Sequence, residues 1–236
     1  MLKLSQGNII DLSGINSILI FKVVFMLQKL NLSRKQLWEH CILASIAHAI
    51  SMTRYPELDY EYSWDGINFN INDGSGCKAT ITFTKQAIIA VFQDKNYIGN
   101  VRNAHDYFIG APESVIRIAE KEALQYVLEE LNSVITPLIT GAFWSIEEDI
   151  FSMHTLDELR KHDAYMILDD INLKNSLIEY YDLDDSEVKL MNYIFDKKVK
   201  CPDDEITLSE EYVKILSIKG SLDECILSFK EIGVFI

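Results

Sequence analysis

The chain has 236 residues, 48% of them hydrophobic, with only 10 glycines and 4 prolines, which supplies a real core and excludes a disordered or linker-rich protein. A formal charge of -14 repels phosphate and disfavours nucleic-acid binding. Four scattered cysteines (Cys41, Cys77, Cys201, Cys225) make no C-x-x-C and no zinc spacing, so they read as reduced thiols of a cytoplasmic protein.

The acidity is uneven. Residues 1–100 hold 9 Lys+Arg against 8 Asp+Glu (+1), whereas residues 101–236 hold 13 against 28 (-15). The longest apolar run, Ile15 to Leu27, carries Asn16 and Lys22 and falls short of the roughly 20 residues that span a bilayer. Asp11 precedes it and no small-x-small site follows, so it does not read as an export signal either. A buried helix, away from any membrane, is the expectation.

In chain order, Asp11 or Ser13 can cap a first helix running to about Leu30, and Ser33 a second from Arg34 to about Thr53, stopped by Tyr55-Pro56. Together they read as a helical hairpin. From Tyr60 the period becomes two: Tyr60, Tyr62 and Trp64 share a face, Asp65-Gly66 offers a tight turn, and Ile67, Phe69 and Ile71 alternate with Asn68, Asn70 and Asn72. Asp73-Gly74-Ser75-Gly76 makes a second turn, Cys77 to Phe83 alternates again, and Ala87 to Phe92 is continuously apolar. Residues 60–92 therefore predict a four-stranded antiparallel meander with Ile67, Phe69, Ile71, Ile81 and Phe83 buried. Its polar side (Asn68, Asn70, Asn72, Lys78, Thr80, Thr82) faces water or a protein partner.

Pro112 and Glu113 suit the first turn of a helix through about Leu131. Beyond Pro137, Ser145 with Glu148, Thr155 with Glu158 and Ser221 with Glu224 match the capping-box pattern, so the second half reads as short helices. Gly233 to Ile236 reads as a terminal strand.

No residue is assigned a catalytic or metal-binding role, and no cofactor is implied. His154, Glu158 and His162 fall at four-residue steps that could hold a metal, but the cap at Thr155 places His154 outside the helix. Cys41, Ser45 and His48 share a helical stripe with Leu37, Ala44 and Met52, which reads as a core surface before it reads as a thiol and its base. Asp169-Asp170-Ile171-Asn172 and Asp182-Leu183-Asp184-Asp185 lack the glycine and the closing glutamate of a calcium loop. There is no Walker loop, dinucleotide fingerprint, G-x-S-x-G or H-E-x-x-H, which removes the motif-readable enzymes.

The segment Tyr62-Ser63-Trp64-Asp65-Gly66-Ile67-Asn68-Phe69, with Gly76 and Thr80-Ile81-Thr82-Phe83, resembles uncharacterised bacterial proteins and, more distantly, the acidic immunity proteins encoded beside polymorphic toxins. The resemblance covers residues 60–92 and carries no functional residue. It implies a cytosolic, non-enzymatic protein that binds a toxin domain and blocks it.

The expected architecture is α+β: an N-terminal helical hairpin, a four-stranded antiparallel meander with a helix against it, and an acidic, mainly helical C-terminal half. Residues 1–236 read as one globular domain with a subdivision near 133–145. The expected function is a protein-interaction role of the immunity or antitoxin kind, with Asp182, Asp184, Asp185, Asp203, Asp204 and Glu205 engaging a basic protein partner such as a toxin domain. The competing reading is a small-molecule enzyme or ligand-binding module with a pocket between sheet and helices.

Overall fold

A computed structural model describes residues 2–3, 9–10, 27–97, 102–131, 133–161, 167–169 and 172–236. Near the N-terminus β1 (Leu2–Lys3) and β2 (Ile9–Ile10) pair antiparallel. The body of the expected first helix, residues 11–26, lies outside the described residues. Its expected end is not helical: Gln28–Leu30 forms the strand β3. Extension buries Leu30 and brings Lys29 to Asp149, 2.6 Å away, so pairing overrides local helix propensity.

Helix α1 (Arg34–Ser51) follows, with 12 of its 18 residues buried, and ends before Tyr55-Pro56 as its sequence dictates. β4 (Tyr62–Asp65) and β5 (Asn68–Asn72) form a hairpin with Tyr62 opposite Ile71 and Asp65 opposite Asn68. The two-residue turn is thus Gly66-Ile67, with Gly66 at φ +60, the geometry of a glycine-first hairpin turn. Ile67, expected in the core, therefore sits in the turn and is 41% exposed, while Phe69 and Ile71 are buried. β6 (Cys77–Phe83) and β7 (Ile88–Asp94) form a second hairpin in register from Cys77 opposite Asp94 to Phe83 opposite Ile88. Ile81 is buried and Phe83 only half-buried. The polar side does not simply face water: Asn68, Thr80 and Thr82 are buried, as in a sheet covered on both faces.

Helix α2 (Glu113–Lys121) stops well short of Leu131. A 3-10 turn, Ala123–Val127, takes over and buries Ala123, Leu124 and Val127, after which β8 (Leu128–Leu131) and β9 (Val134–Pro137) make a hairpin turning at Ser133, φ +64. Burial of those three side chains outweighs the local helical pattern. β10 (Gly141–Ile146) and β11 (Asp149–Ser152) form another hairpin where short helices were expected. Ser145 caps nothing; its hydroxyl accepts from the Ile88 backbone N–H at 2.8 Å. The box at Thr155 and Glu158 does form, opening α3 (Leu156–Leu159).

Residues beyond 172 are mainly helical, through α4 (Leu173–Tyr180), α5 (Asp185–Lys200), α6 (Glu210–Lys219) and α7 (Asp223–Glu231). The short β12 (Ile206–Thr207) pairs in parallel with β13 (Val234–Phe235). Leu222, not Ser221, holds the N-cap position of α7. Ser221 instead donates to the Asp223 carboxylate, so no box with Glu224 forms there. The fold is therefore α+β, with a large antiparallel sheet.

Two compact units interleave along the chain: unit 1 is residues 1–34 and 76–164, unit 2 is residues 35–75 and 165–236. Unit 1 holds antiparallel strands in the order β3-β11-β10-β7-β6, with Ile89, Val91, Trp144 and Phe151 packed with Tyr107, Phe108 and Leu124. Unit 2 holds α1, the β4–β5 hairpin, α4 to α7 and the β12–β13 pair. Unit 1 contains 12 Lys+Arg against 14 Asp+Glu, a charge of -2; unit 2 contains 10 against 22, a charge of -12. Among the described residues no helix is long and apolar enough to cross a membrane.

Candidate functional site

Unit 2 contains a cleft of about 340 Å³ built from four elements. Trp38 and Ile42, one turn apart on α1, form one wall, and Trp64 and Gly66 of the β4–β5 hairpin another. Lys198 enters from the last turn of α5, Asp203 from the loop after it, and Glu231 and Ile232 from the end of α7. The volume lies at the small end of ligand pockets, room for one side chain or a small molecule.

The walls are held in place by hydrogen bonds. The Trp64 indole N–H donates to Ser45 Oγ at 2.8 Å, its backbone N–H donates to Glu231 Oε2 at 2.8 Å, and its ring lies 5.2 Å from that of Phe69. Burial, then the negative charge of Asp65, push the Glu231 carboxyl above its ordinary value, against the pull of the Trp64 N–H. Lys198 is 3% exposed and its ammonium donates to the Asp204 carbonyl at 2.6 Å. Burial lowers its pKa, opposed by the carboxylates of Asp204, Asp203 and Glu205. The cleft thus presents two indoles and two carboxylates, with one lysine already engaged.

The six acids singled out from the sequence divide between the two ends of α5. Asp182, Asp184 and Asp185 stand at its N-terminus and Asp203, Asp204 and Glu205 beyond its C-terminus, about 24 Å apart for a helix of this length. All six are exposed. Asp184 caps α5: its carboxylate accepts from the backbone N–H groups of Ser186 (2.8 Å) and Glu187 (3.0 Å) and pairs with Lys219. Asp182 adopts φ +48 and its carbonyl accepts from Arg54 at 3.1 Å. Of the six, Asp203 lines the cleft.

Elsewhere in unit 2 the buried Cys41, His48, Glu61 and Glu187 are committed to the fold. The Cys41 thiol is fully buried and burial raises its pKa, which opposes a nucleophilic role. His48 Nε2–H donates to the Leu58 carbonyl at 2.9 Å, and burial lowers its pKa. Buried Glu61 accepts from the hydroxyls of Tyr180 (2.6 Å) and Tyr181 (2.7 Å). The Arg54 guanidinium pairs with Glu187, which is 0% exposed.

Unit 1 carries a second cleft of about 460 Å³, with Arg102, Lys161 and His154 beside Asp94, Tyr97 and Thr140. Glu158, also on its wall, is held by the Thr155 backbone N–H (2.8 Å) and hydroxyl (3.0 Å), which lower its pKa. His154 precedes α3, as the cap requires, and His162 lies outside the described residues. Among the described residues no three His, Cys, Asp or Glu side chains converge as a metal site.

Compared with family models, curated proteins and solved structures, the chain matches none. Sequence reasoning passed over Trp38, Lys198 and Glu231. One signal for Lys198 was present: Glu187, Leu190, Met191, Ile194 and Lys198 recur at helical spacing and are the buried residues of α5. Charged residues continuing an apolar stripe mark a buried ionic or hydrogen-bonded position.

Proposed function

We propose that the chain is a non-enzymatic interaction protein that neutralises a basic protein partner, in the manner of an immunity protein or antitoxin facing a toxin domain. One observation carries this reading: unit 2 holds -12 of the -14 formal charge. Charge gathered on one side of a division in the fold steers a basic partner toward that unit, whereas charge needed only for solubility has no reason to be segregated. Committed side chains at Cys41, His48 and Glu61 leave little for chemistry in that unit. In this reading chain and partner meet in the bacterial cytoplasm.

Purification of the tagged chain from its source cell at low salt tests the proposal. A basic protein should be retained stoichiometrically and released at about 0.5 M salt, where the Debye length falls to a few ångströms. Producing that protein alone should arrest growth, and co-producing the chain should restore it. A retained partner that is neutral or acidic, or one whose release ignores salt, overturns the proposal.

A second reading rests on the unit 1 cleft, where Arg102 and Lys161 beside Thr140 can take the anionic group of a small molecule and Asp94 and Glu158 on the same wall a cationic one. Thermal stabilisation by small phosphorylated or carboxylate compounds, abolished in Arg102→Gln, would favour it; no stabilisation by any of them removes it.

A further inference from the structure

We infer that the unit 2 cleft receives one arginine side chain of the partner, its guanidinium held against Trp38 and Trp64 and paired with Asp203 and Glu231. The inference deepens the proposed function and rests on it.

Charge selects a cation. Asp203 and Glu231 set two negative charges against the one positive charge of Lys198, and that ammonium already donates to the Asp204 carbonyl at 2.6 Å while facing Asp203, Asp204 and Glu205. Glu231 also lies in the field of Asp65, so an entering cation relieves a repulsion built into the wall. An anion would meet the reverse.

Shape and surface select a planar cation on an apolar stem. Two indoles favour a cation over their faces, and Ile42 and Ile232 give the methylene stem apolar cover. A guanidinium stacks on aromatic rings and binds carboxylates by a two-pronged fork, which an ammonium cannot do. The indole of Trp64 is fixed by Ser45 and its backbone by Glu231, so the receiving surface is formed before binding, which reduces the ordering cost. Arginine and tryptophan are the residue types that dominate the centres of protein interfaces.

The test uses the full chain and N-acetyl-arginine amide, with the lysine, glutamate and glycine amides as comparisons. Three tryptophans give three indole N–H resonances; two belong to the cleft and the third, Trp144, to the core of unit 1. The arginine amide should shift the Trp38 and Trp64 resonances saturably and leave Trp144 in place, with a Kd of about 1 mM, the affinity of a single well-held group. Lysine amide should bind several-fold more weakly, and the glutamate and glycine amides not at all. Asp203→Asn and Glu231→Gln should each weaken arginine about tenfold with unchanged circular dichroism; Glu231→Gln keeps an acceptor for the Trp64 N–H.

An absent shift, a shift equal for all four amides, or affinity indifferent to both substitutions overturns the inference. Arginine-rich peptide and free guanidinium separate a protein's side chain from a small metabolite: guanidinium bound without peptide also overturns it. Salt-dependent capture of a basic partner that ignores Asp203→Asn and Glu231→Gln defeats the cleft and leaves the proposed function standing. Loss of that capture in both variants, with fold intact, supports both.

Discussion

Unit 1 and unit 2 are of similar size but differ in where they place charge. Unit 1 is antiparallel sheet with apolar aromatic packing around Trp144, and its charge of -2 is close to balance. Unit 2 is helical, buries Glu61, Glu187 and Lys198, and carries -12. Both units draw cohesion from apolar area, and unit 2 adds buried charged groups that are costly unless satisfied. The unit that carries most of the net charge is also the one that buries charged side chains.

Like interactions in the two units should therefore respond unequally, and the largest difference concerns ion pairs. Glu187→Ala strips a fully buried carboxylate from Arg54 and removes half of the capping box with Asp184. It should destabilise by about 3–5 kcal/mol, the cost of leaving a buried charge alone. Glu129→Ala in unit 1 breaks a partly exposed pair with Lys95, at 2.9 Å, and should change stability by about 1 kcal/mol at most. Urea midpoints of the two variants measure the contrast; equal losses would erase it.

Backbone packing gives the next effect. At Gly220 an added Cβ would run into the Thr53 carbonyl oxygen, so Gly220→Ala must push apart two backbone segments of unit 2. A loss of about 1–3 kcal/mol is expected, the range of an overpacked interior. Gly66 has open space for a Cβ but sits at φ +60, so alanine there should cost only about 1 kcal/mol of turn strain. Thermal unfolding of both separates close approach from conformation.

A smaller effect depends on pH. The Lys219 ammonium first, then the Ser186 hydroxyl and the Glu187 backbone N–H, hold the Asp184 carboxyl far below the ordinary aspartate range. A carboxyl whose pKa is depressed by folding stabilises above its unfolded value, near pH 4, and that contribution fades as pH falls further. Asp184→Ala should cost about 1 kcal/mol at pH 7, as loss of an N-cap does, with the difference from the parent chain shrinking below about pH 4. A penalty that stays constant down to pH 2 would assign the effect to packing.

Much of the fold was legible in the sequence, for reasons these residues show. The alternation around Gly66 and from Cys77 to Phe83 marked two hairpins, Tyr55-Pro56 marked the end of α1, and Thr155 with Glu158 marked α3. Where local pattern and burial disagreed, burial won: Ala123 to Leu131 reads as helix yet becomes a 3-10 turn and a strand. The pattern Ser145-x-x-Glu148 occurs in a strand and its turn because one hydroxyl and one carboxylate at that spacing are common. The cleft was not legible. Trp38, Trp64, Lys198 and Glu231 lie up to nearly 200 positions apart, and a window along the chain cannot register their convergence. Charge shows the same limit: residues 35–75 belong to unit 2 and carry 2 Lys+Arg against 6 Asp+Glu, although the first hundred residues together are near neutral.

The smallest effect on stability carries the largest meaning for function. Asp203, Asp204 and Glu205 are exposed beyond the C-terminus of α5, so replacing them by Asn, Asn and Gln should cost about 1 kcal/mol at most, chiefly through the lost field on the buried Lys198 ammonium. Their field acts at a distance, and association with a basic partner should slow several-fold at low salt, with the difference from the parent chain closing at about 0.5 M. The comparison sharpens if three acids of unit 1, Glu113, Glu147 and Glu148, are neutralised in the same way. Charge alone, added over the whole molecule, predicts equal slowing from the two triple variants, since each removes three negatives. A field centred on unit 2 predicts slowing from the first and little from the second. Stopped-flow association rates across a salt series decide it, and equal slopes would make the segregated acidity a solubility feature and shift weight to the unit 1 cleft.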